Sequence, residues 1–199
     1  MKLSVSIQAH PKRREWAEDL ARQLNCPIAW DIKGRTWDTR KRAIALADPD
    51  SDYHLVIQDD AILCEGLMEK ATAFIERMEQ EYPEEKHAFQ LYHGHESGVS
   101  GDLHPSDFER GYARRKLLTW GVAICVPTEW LEAIVKWGNA LAVHQDDTKI
   151  RKWLEFKKYK TIYPLPCLVD HRRMKENPTL VPSRDTDRYS PYFIDLTNS

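Results

Sequence analysis

Two adjacent carboxylates stand out in this chain, Asp59 and Asp60 in Leu55-Val-Ile-Gln-Asp-Asp-Ala61. They follow an apolar, β-branched run that reads as a buried strand, so they fall where that strand ends. Carboxylates held side by side repel each other, and a bound cation relieves the repulsion. Oxygen ligands suit Mg2+ or Mn2+ rather than zinc, and such ions keep coordination positions open for phosphate oxygens. The alternative is a turn in which one of the two acids caps the following helix through backbone N–H groups.

The surrounding pattern sets these acids in an α/β domain. Lys2 to Ala9 alternates apolar and polar residues as a strand does, and Trp16, Leu20 and Leu24 then mark a helix over 12–24. A short strand over 27–31 and a helix over 39–47 lead through the turn cluster Asp48-Pro-Asp-Ser-Asp52 to a third strand, 53–58. Leu67, Ala71, Phe74, Ile75 and Met78 form the stripe of a helix over 65–81, and 87–92 is a fourth strand. This alternation predicts a single Rossmann-like domain, with a mostly parallel central sheet flanked by helices. Ligands bind such sheets beyond the carboxyl ends of the strands.

The second half is less regular. A glycine-containing loop over 93–107 has the composition of a lid, and 120–126 reads as a strand. Helices follow from Pro127 and over 148–158, with a break at 138–143 between them. An extended stretch at 162–169 leads into an irregular polar tail that wraps the domain without a core of its own. Trp16, Trp130 and Trp153 lie on apolar helix faces and are expected in the core. The whole divides into a domain over 1–182, with halves 1–92 and 93–182, and a tail over 183–199.

Composition narrows the class. The 199 residues carry 29 basic and 31 acidic side chains, a formal charge of −2, which argues against a protein held mainly by nucleic acid or anionic lipid. With 42% hydrophobic residues the chain can bury a full core, and no apolar run approaches the roughly 20 residues of a membrane span. The N-terminal segment does not read as a secretory signal. Cys26, Cys64, Cys125 and Cys167 are widely spaced, as expected of free buried thiols. These features predict a cytoplasmic protein, in a host cytoplasm if phage-encoded.

Several segments, in this order, resemble GT-A-type glycosyltransferases, most closely short glycosyltransferase-like proteins of phages and bacteria. HLVIQDDAIL is similar to the hydrophobic strand and Asp-x-Asp element that holds a metal bound to a nucleotide-sugar diphosphate. SIQAHPKRREWAEDL is similar to the first strand and nucleotide-facing loop, and GRTWDTRKRAI falls where the family contacts the nucleotide. TWGVAICVPTEWLEAIV resembles the small-residue strand and helix that shape the sugar and acceptor pocket. HQDD falls where the family has an acidic pair, and LPCLVDHRRMKENPTLV is similar to a late Pro-x-Leu-Val-x-His segment. The resemblance spans residues 2–182. Gln58 departs from it where a carboxylate would stand, and Asp146 departs where a Glu often does.

The resemblance implies transfer of a sugar from a nucleotide-sugar donor, expected to be a UDP-sugar, to an acceptor hydroxyl with inversion. Asp60 is the expected ligand of Mn2+ or Mg2+, Asp59 supports it or touches the ribose, and His171 completes the coordination. A metal neutralises the departing diphosphate. Arg172, Arg173 and Lys175 are placed to clamp phosphate oxygens or to form a solvated turn. The acceptor's proton needs a carboxylate, Asp147 in preference to Asp146, while the other acid caps the 148–158 helix. His10 and Arg13 follow the first strand where the donor would lie; Arg14, one helical step on, faces elsewhere. Asp31 is expected on the nucleobase or ribose, Trp37 on the same groups or in the core, and Trp120 and Gly121 along the donor sugar.

The acceptor class stays open among a glycan, a protein and a hydroxymethylated DNA base. The basic runs Arg114-Arg-Lys116 and Lys157-Lys-Tyr-Lys160 are solvated faces or contacts for a polyanionic acceptor. Two other functions use the same residues: a metal-dependent nuclease or phosphohydrolase, and a non-catalytic nucleotide-sugar-binding module favoured by the Gln58 departure.

Overall fold

The computed structural model describes residues 1–94, 103–173 and 189–194. Its elements are, in order, β1 (Leu3–Ala9), α1 (Arg14–Leu24), β2 (Ile28–Trp30), α2 (Thr36–Ile44), β3 (Tyr53–Gln58), β4 (Ala61–Leu63), α3 (Leu67–Glu81) and β5 (Ala88–Gln90). There follow α4 (Pro105–Arg110), β6 (Tyr112–Arg115), β7 (Ala123–Pro127), α5 (Leu131–Ala140), α6 (Asp146–Lys157), β8 (Thr161–Pro164) and β9 (Val169–His171).

Seven strands form one sheet in the order β2-β1-β3-β7-β5-β8-β6. Five of them, β2, β1, β3, β5 and β8, point the same way, while β7 and β6 run against them. The mostly parallel sheet read from the sequence is therefore present in strand direction. The insertion of β7 between β3 and β5 makes both of its pairings antiparallel.

Residue period 2 splits the core across the sheet. Tyr53, Leu55 and Ile57 of β3 pack with Leu20 of α1 and with Leu67, Ala71, Ile75 and Met78 of α3. Val56 faces the other way, with Trp37, Ala43 and Ile44 of α2, Ile134 of α5, and Ile150 and Trp153 of α6. Covered on both faces, β3 is apolar along most of its length, as internal strands of such sheets are.

Three local differences from the sequence reading bear on the site. The chain returns after Asp60 as the short strand β4, which pairs antiparallel with β9, Ala61 opposite His171. The helix expected from residue 39 starts at Thr36, because Asp31 and Gly34 turn the chain early; Asp31 Oδ1 accepts the N–H groups of Lys33 and Gly34 at 2.9 and 2.8 Å. The lid segment is a loop only in part: Pro105–Arg110 is helical, started by His104, and 95–102 lies outside the described residues. Trp130 and Trp153 are core residues, whereas Trp16 is half-buried with the Arg172 guanidinium 4.8 Å over its ring.

Candidate active site

The carboxyl ends of β1, β3 and β5 and the beginning of β7 meet at one edge of the sheet. There a cavity of about 200 Å³ is lined by Gln58, Tyr92, Trp120, Gly121, Asp147 and His171, among others. A larger surface cleft, about 1040 Å³, lies at the opposite edge, where Asp52, Glu76, Glu79 and Glu129 outnumber Lys86 and the Met1 amine, a poor setting for a diphosphate.

Asp59 and Asp60 sit behind this cavity, both buried. Asp59 is turned toward the β1 loop: its Oδ2 accepts the His10 N–H at 2.6 Å and its Oδ1 lies 2.9 Å from Arg13 Nη2. Arg13 Nη1 donates to Asp60, so one guanidinium bridges both acids. Burial, opposed by Arg13 and reinforced by Asp60, raises the proton affinity of Asp59 above the usual carboxylate range. Arg14 points away, paired with Glu18 and stacked on Trp30, as one step of helix requires.

The β4–β9 pairing brings His171 from a distant part of the sequence to Asp60. The Arg172 N–H donates to the Asp60 carbonyl at 2.8 Å, which fixes the register. His171 Nδ1 donates to the Arg172 carbonyl at 2.6 Å, so Nε2 faces Asp60 Oδ2 across 3.5 Å. A nitrogen lone pair aimed at a carboxylate is unfavourable unless the ring is protonated or a cation lies between them. One imidazole nitrogen and one carboxylate oxygen with positions left open fit Mn2+ better than Mg2+, which prefers oxygen ligands throughout. Among the described residues no group of three or more His, Cys, Asp or Glu gathers at one point, so a cation at Asp60 and His171 would take its remaining ligands from phosphate and water.

Asp146 and Asp147 begin α6, but neither is its cap; Gln145 holds that position. Their environments separate them. Asp146 is buried at 5% exposure and takes Arg40 Nε at 2.8 Å and Gln8 Nε2 at 3.2 Å. Asp147 lines the cavity, with Oδ1 accepting the Thr148 N–H at 2.6 Å. Burial first, then the charge of Asp146, raise its proton affinity. Paired acids whose environments push them apart suit division into a fixed charge and a proton acceptor.

Gly121 is closely approached by the side chains around it. A Cβ there would come within 2.9 Å of Gln58 Nε2 and 3.5 Å of Asp147 Cβ. Its carbonyl accepts Arg40 Nη2 at 2.7 Å, while Gln90 donates to the Trp120 carbonyl at 2.6 Å, so this segment is tied on both sides.

Other expected residues lie differently. The His10 ring accepts the Lys12 N–H and caps the turn Pro11–Arg13. Asp31 holds its own loop. Trp37 is core: its indole N–H donates to Asn139 at 3.0 Å and its ring packs where a Cβ on Gly138 would stand, 2.2 Å from Cζ2. Arg172 covers Trp16 and Arg173 lies 4.4 Å over Tyr189. Lys175 lies outside the described residues.

Arg40, Gln8 and Tyr92 were not singled out from sequence. Arg40 carries a readable signal: in α2 it shares one face with Trp37 and Ile44, a charge on an apolar stripe and fully buried. Gln8 and Gln58 show a weaker one, as polar residues in register at the ends of two buried strands.

No family model and no curated protein matches the chain. Solved structures do. A197 from STIV is 14% identical over 86% of this chain and 85% of its own, with a TM-score of 0.53. TarS of S. aureus is 14% identical over 82% of this chain and 36% of its own, at 0.47, and TarS 1-349 is 13% identical over 83% and 61%, at 0.48. The chain thus spans about a third of the full TarS chain. At this identity the likeness to A197 is one of fold, and that fold is GT-A-like.

Proposed function

We propose that the chain transfers a sugar from a nucleotide-sugar donor to an acceptor hydroxyl, with inversion. The observation that carries this reading is the separation of roles at one strand edge: Asp60 with His171 on one side of the cavity and a proton-accepting Asp147 on the other. A divalent cation held by Asp60 and His171 would supply charge compensation to a departing diphosphate. Asp147 takes the acceptor's proton as the acceptor hydroxyl attacks, and the charge of Asp146, held in place by Arg40, keeps Asp147 basic. Gly121 leaves room for the sugar. A cleft of about 610 Å³, sharing Thr36 and Gln145 with the cavity, gives the space a nucleotide sugar needs.

The position of Arg13 favours a second reading of the same reaction. Its guanidinium already bridges Asp59 and Asp60. It either yields to a metal or itself compensates the phosphate charge, in which case transfer is metal-independent. UDP-, GDP- and dTDP-sugars are the panel for calorimetry and thermal shift, with Mn2+ and with EDTA. Binding of one nucleotide sugar that needs Mn2+ and is lost in Asp60→Ala supports the metal reading. Binding that persists in EDTA and is lost in Arg13→Ala supports the second. Silence across the panel from folded protein overturns both.

A further inference from the structure

The two basic runs of the sequence, far apart in the chain, meet at the outer edge of the sheet. Edge strand β6 pairs antiparallel with β8, Arg115 opposite Thr161, which sets Arg114-Arg-Lys116 beside Lys160. Together with Arg110 and Tyr82 these residues line a cleft of about 330 Å³ in which all five charged lining side chains are basic. In a chain of net charge −2 that is a strong local concentration of positive charge.

The cleft is also preorganised. Asp107 holds Arg110 and Arg115, and Glu85 holds Arg114; neither acid lines the cleft. The Arg114 guanidinium is stacked 4.6 Å over Tyr82, and that of Arg110 lies 5.3 Å over Tyr112. Guanidinium groups fixed in this way match phosphate oxygens in pairs and present flat faces to bases. Five cations against the two carboxylates that hold three of them leave the cleft net positive over its length, which suits a chain of anions better than a single one.

We propose that this cleft binds the phosphodiester backbone of a single-stranded nucleic acid. Guanidinium faces stacked on Tyr82 and Tyr112 suit unstacked bases, which a single strand offers and a duplex does not. Lys160 immediately precedes β8, whose four residues span about 13 Å to its carboxyl end. That the nucleic-acid strand is also the sugar acceptor rests on the transfer proposed above; its binding does not.

The test is fluorescence anisotropy with a labelled 20-nucleotide single-stranded DNA, in low salt and without nucleotide sugar or metal, so its outcome is independent of any transfer. Lys116→Glu with Lys160→Glu is compared with Lys136→Glu with Lys152→Glu, an equal charge change on exposed helix positions elsewhere. Far-ultraviolet circular dichroism checks that both variants are folded. The cleft variant is expected to lose at least tenfold in affinity and the control less than about twofold. The salt dependence, about −0.7 per neutralised phosphate on a logarithmic scale, should weaken by about 1.4 in the cleft variant alone. Equal losses in both variants, no oligonucleotide binding by the wild type, or cleft-dependent binding of inorganic polyphosphate but not of the oligonucleotide would each overturn the proposal.

Discussion

Asp147 shows most directly how environment rather than residue type divides labour at this site. Burial and the neighbouring Asp146 both favour its protonated form. As the proposed proton acceptor it must be ionised, so activity is expected above its raised pKa and is lost as pH falls through it. The acidic limb of kcat/KM should therefore lie above the ordinary carboxylate range of about 4. Asp147→Asn should lower kcat by roughly 10²–10⁴. Asp146→Asn keeps an acceptor for Arg40 and removes one of the two causes of the shift, so it should retain measurable turnover and move the acidic limb to lower pH. If Asp146→Asn costs as much as Asp147→Asn and leaves the limb unmoved, the roles assigned to the pair are wrong. The sequence showed that two acids stand together, and the resemblance placed them in the acceptor half. What separates them is Arg40, a residue of another helix, and no spacing within the pair encodes that contact.

Elements were legible where one periodicity ran long enough to exclude another. The run Tyr53–Gln58 forms β3 over the residues expected, because a strand buried on both faces is apolar throughout. The short strands β4, β6 and β9 escaped because three or four residues carry too little pattern, and β4 and β9 exist by pairing with each other. Between β1, β3 and α2 lies a buried polar cluster that the apolar pattern concealed. His54 Nδ1 meets Ser4 Oγ at 2.8 Å, and Nε2 meets Ser6 Oγ at 3.0 Å and the Ala43 carbonyl at 3.2 Å. Burial holds its pKa down at about 4. The unfolded chain, with an ordinary imidazole near 6.5, therefore takes up the proton first. The stabilisation from this ring is complete above about 6.5 and lost as pH falls toward 4. Urea unfolding of wild type and His54→Gln should show their stability gap shrinking by about 3 kcal/mol between pH 7.5 and 4. Asp59 and Asp147, whose raised carboxyls favour the folded state as pH falls, are common to both proteins and cancel in the gap. A gap that stays constant would mean that His54 is solvated or already charged.

At the scale of the whole molecule, the end of the described chain closes over the site's supports. The sequence reading of a polar tail that wraps the domain concerns 170–199, of which 170–173 and 189–194 are described. Residues 189–194 return to the sheet edge. The Cys167 N–H donates to the Tyr192 carbonyl at 2.7 Å, the Ile194 N–H donates to the Cys167 carbonyl at 3.2 Å, and the Ser190 N–H reaches Asp170, the residue before His171. Tyr192 lies against His93 and Phe108, with ring centroids 5.8 and 5.3 Å away, while Phe193 and Ile194 pack on the larger core. This return was not legible, since it rests on backbone hydrogen bonds and three half-buried side chains with no period to announce them. Three such side chains contribute about 1 kcal/mol each, half of what full burial would. Deleting 189–199 should then lower Tm by roughly 6–12 °C, at 2–4 °C per kcal/mol for a chain of this size. The same deletion releases the Cys167 backbone and the Asp170 side chain, just before His171, so His171 should lose its register opposite Ala61. Calorimetry at 15 °C, where the shortened protein remains folded, should therefore show weaker Mn2+-dependent donor binding in addition to the lower Tm. A lower Tm with donor affinity intact would show that β4 alone holds His171 beside Asp60 and that the tail serves stability only.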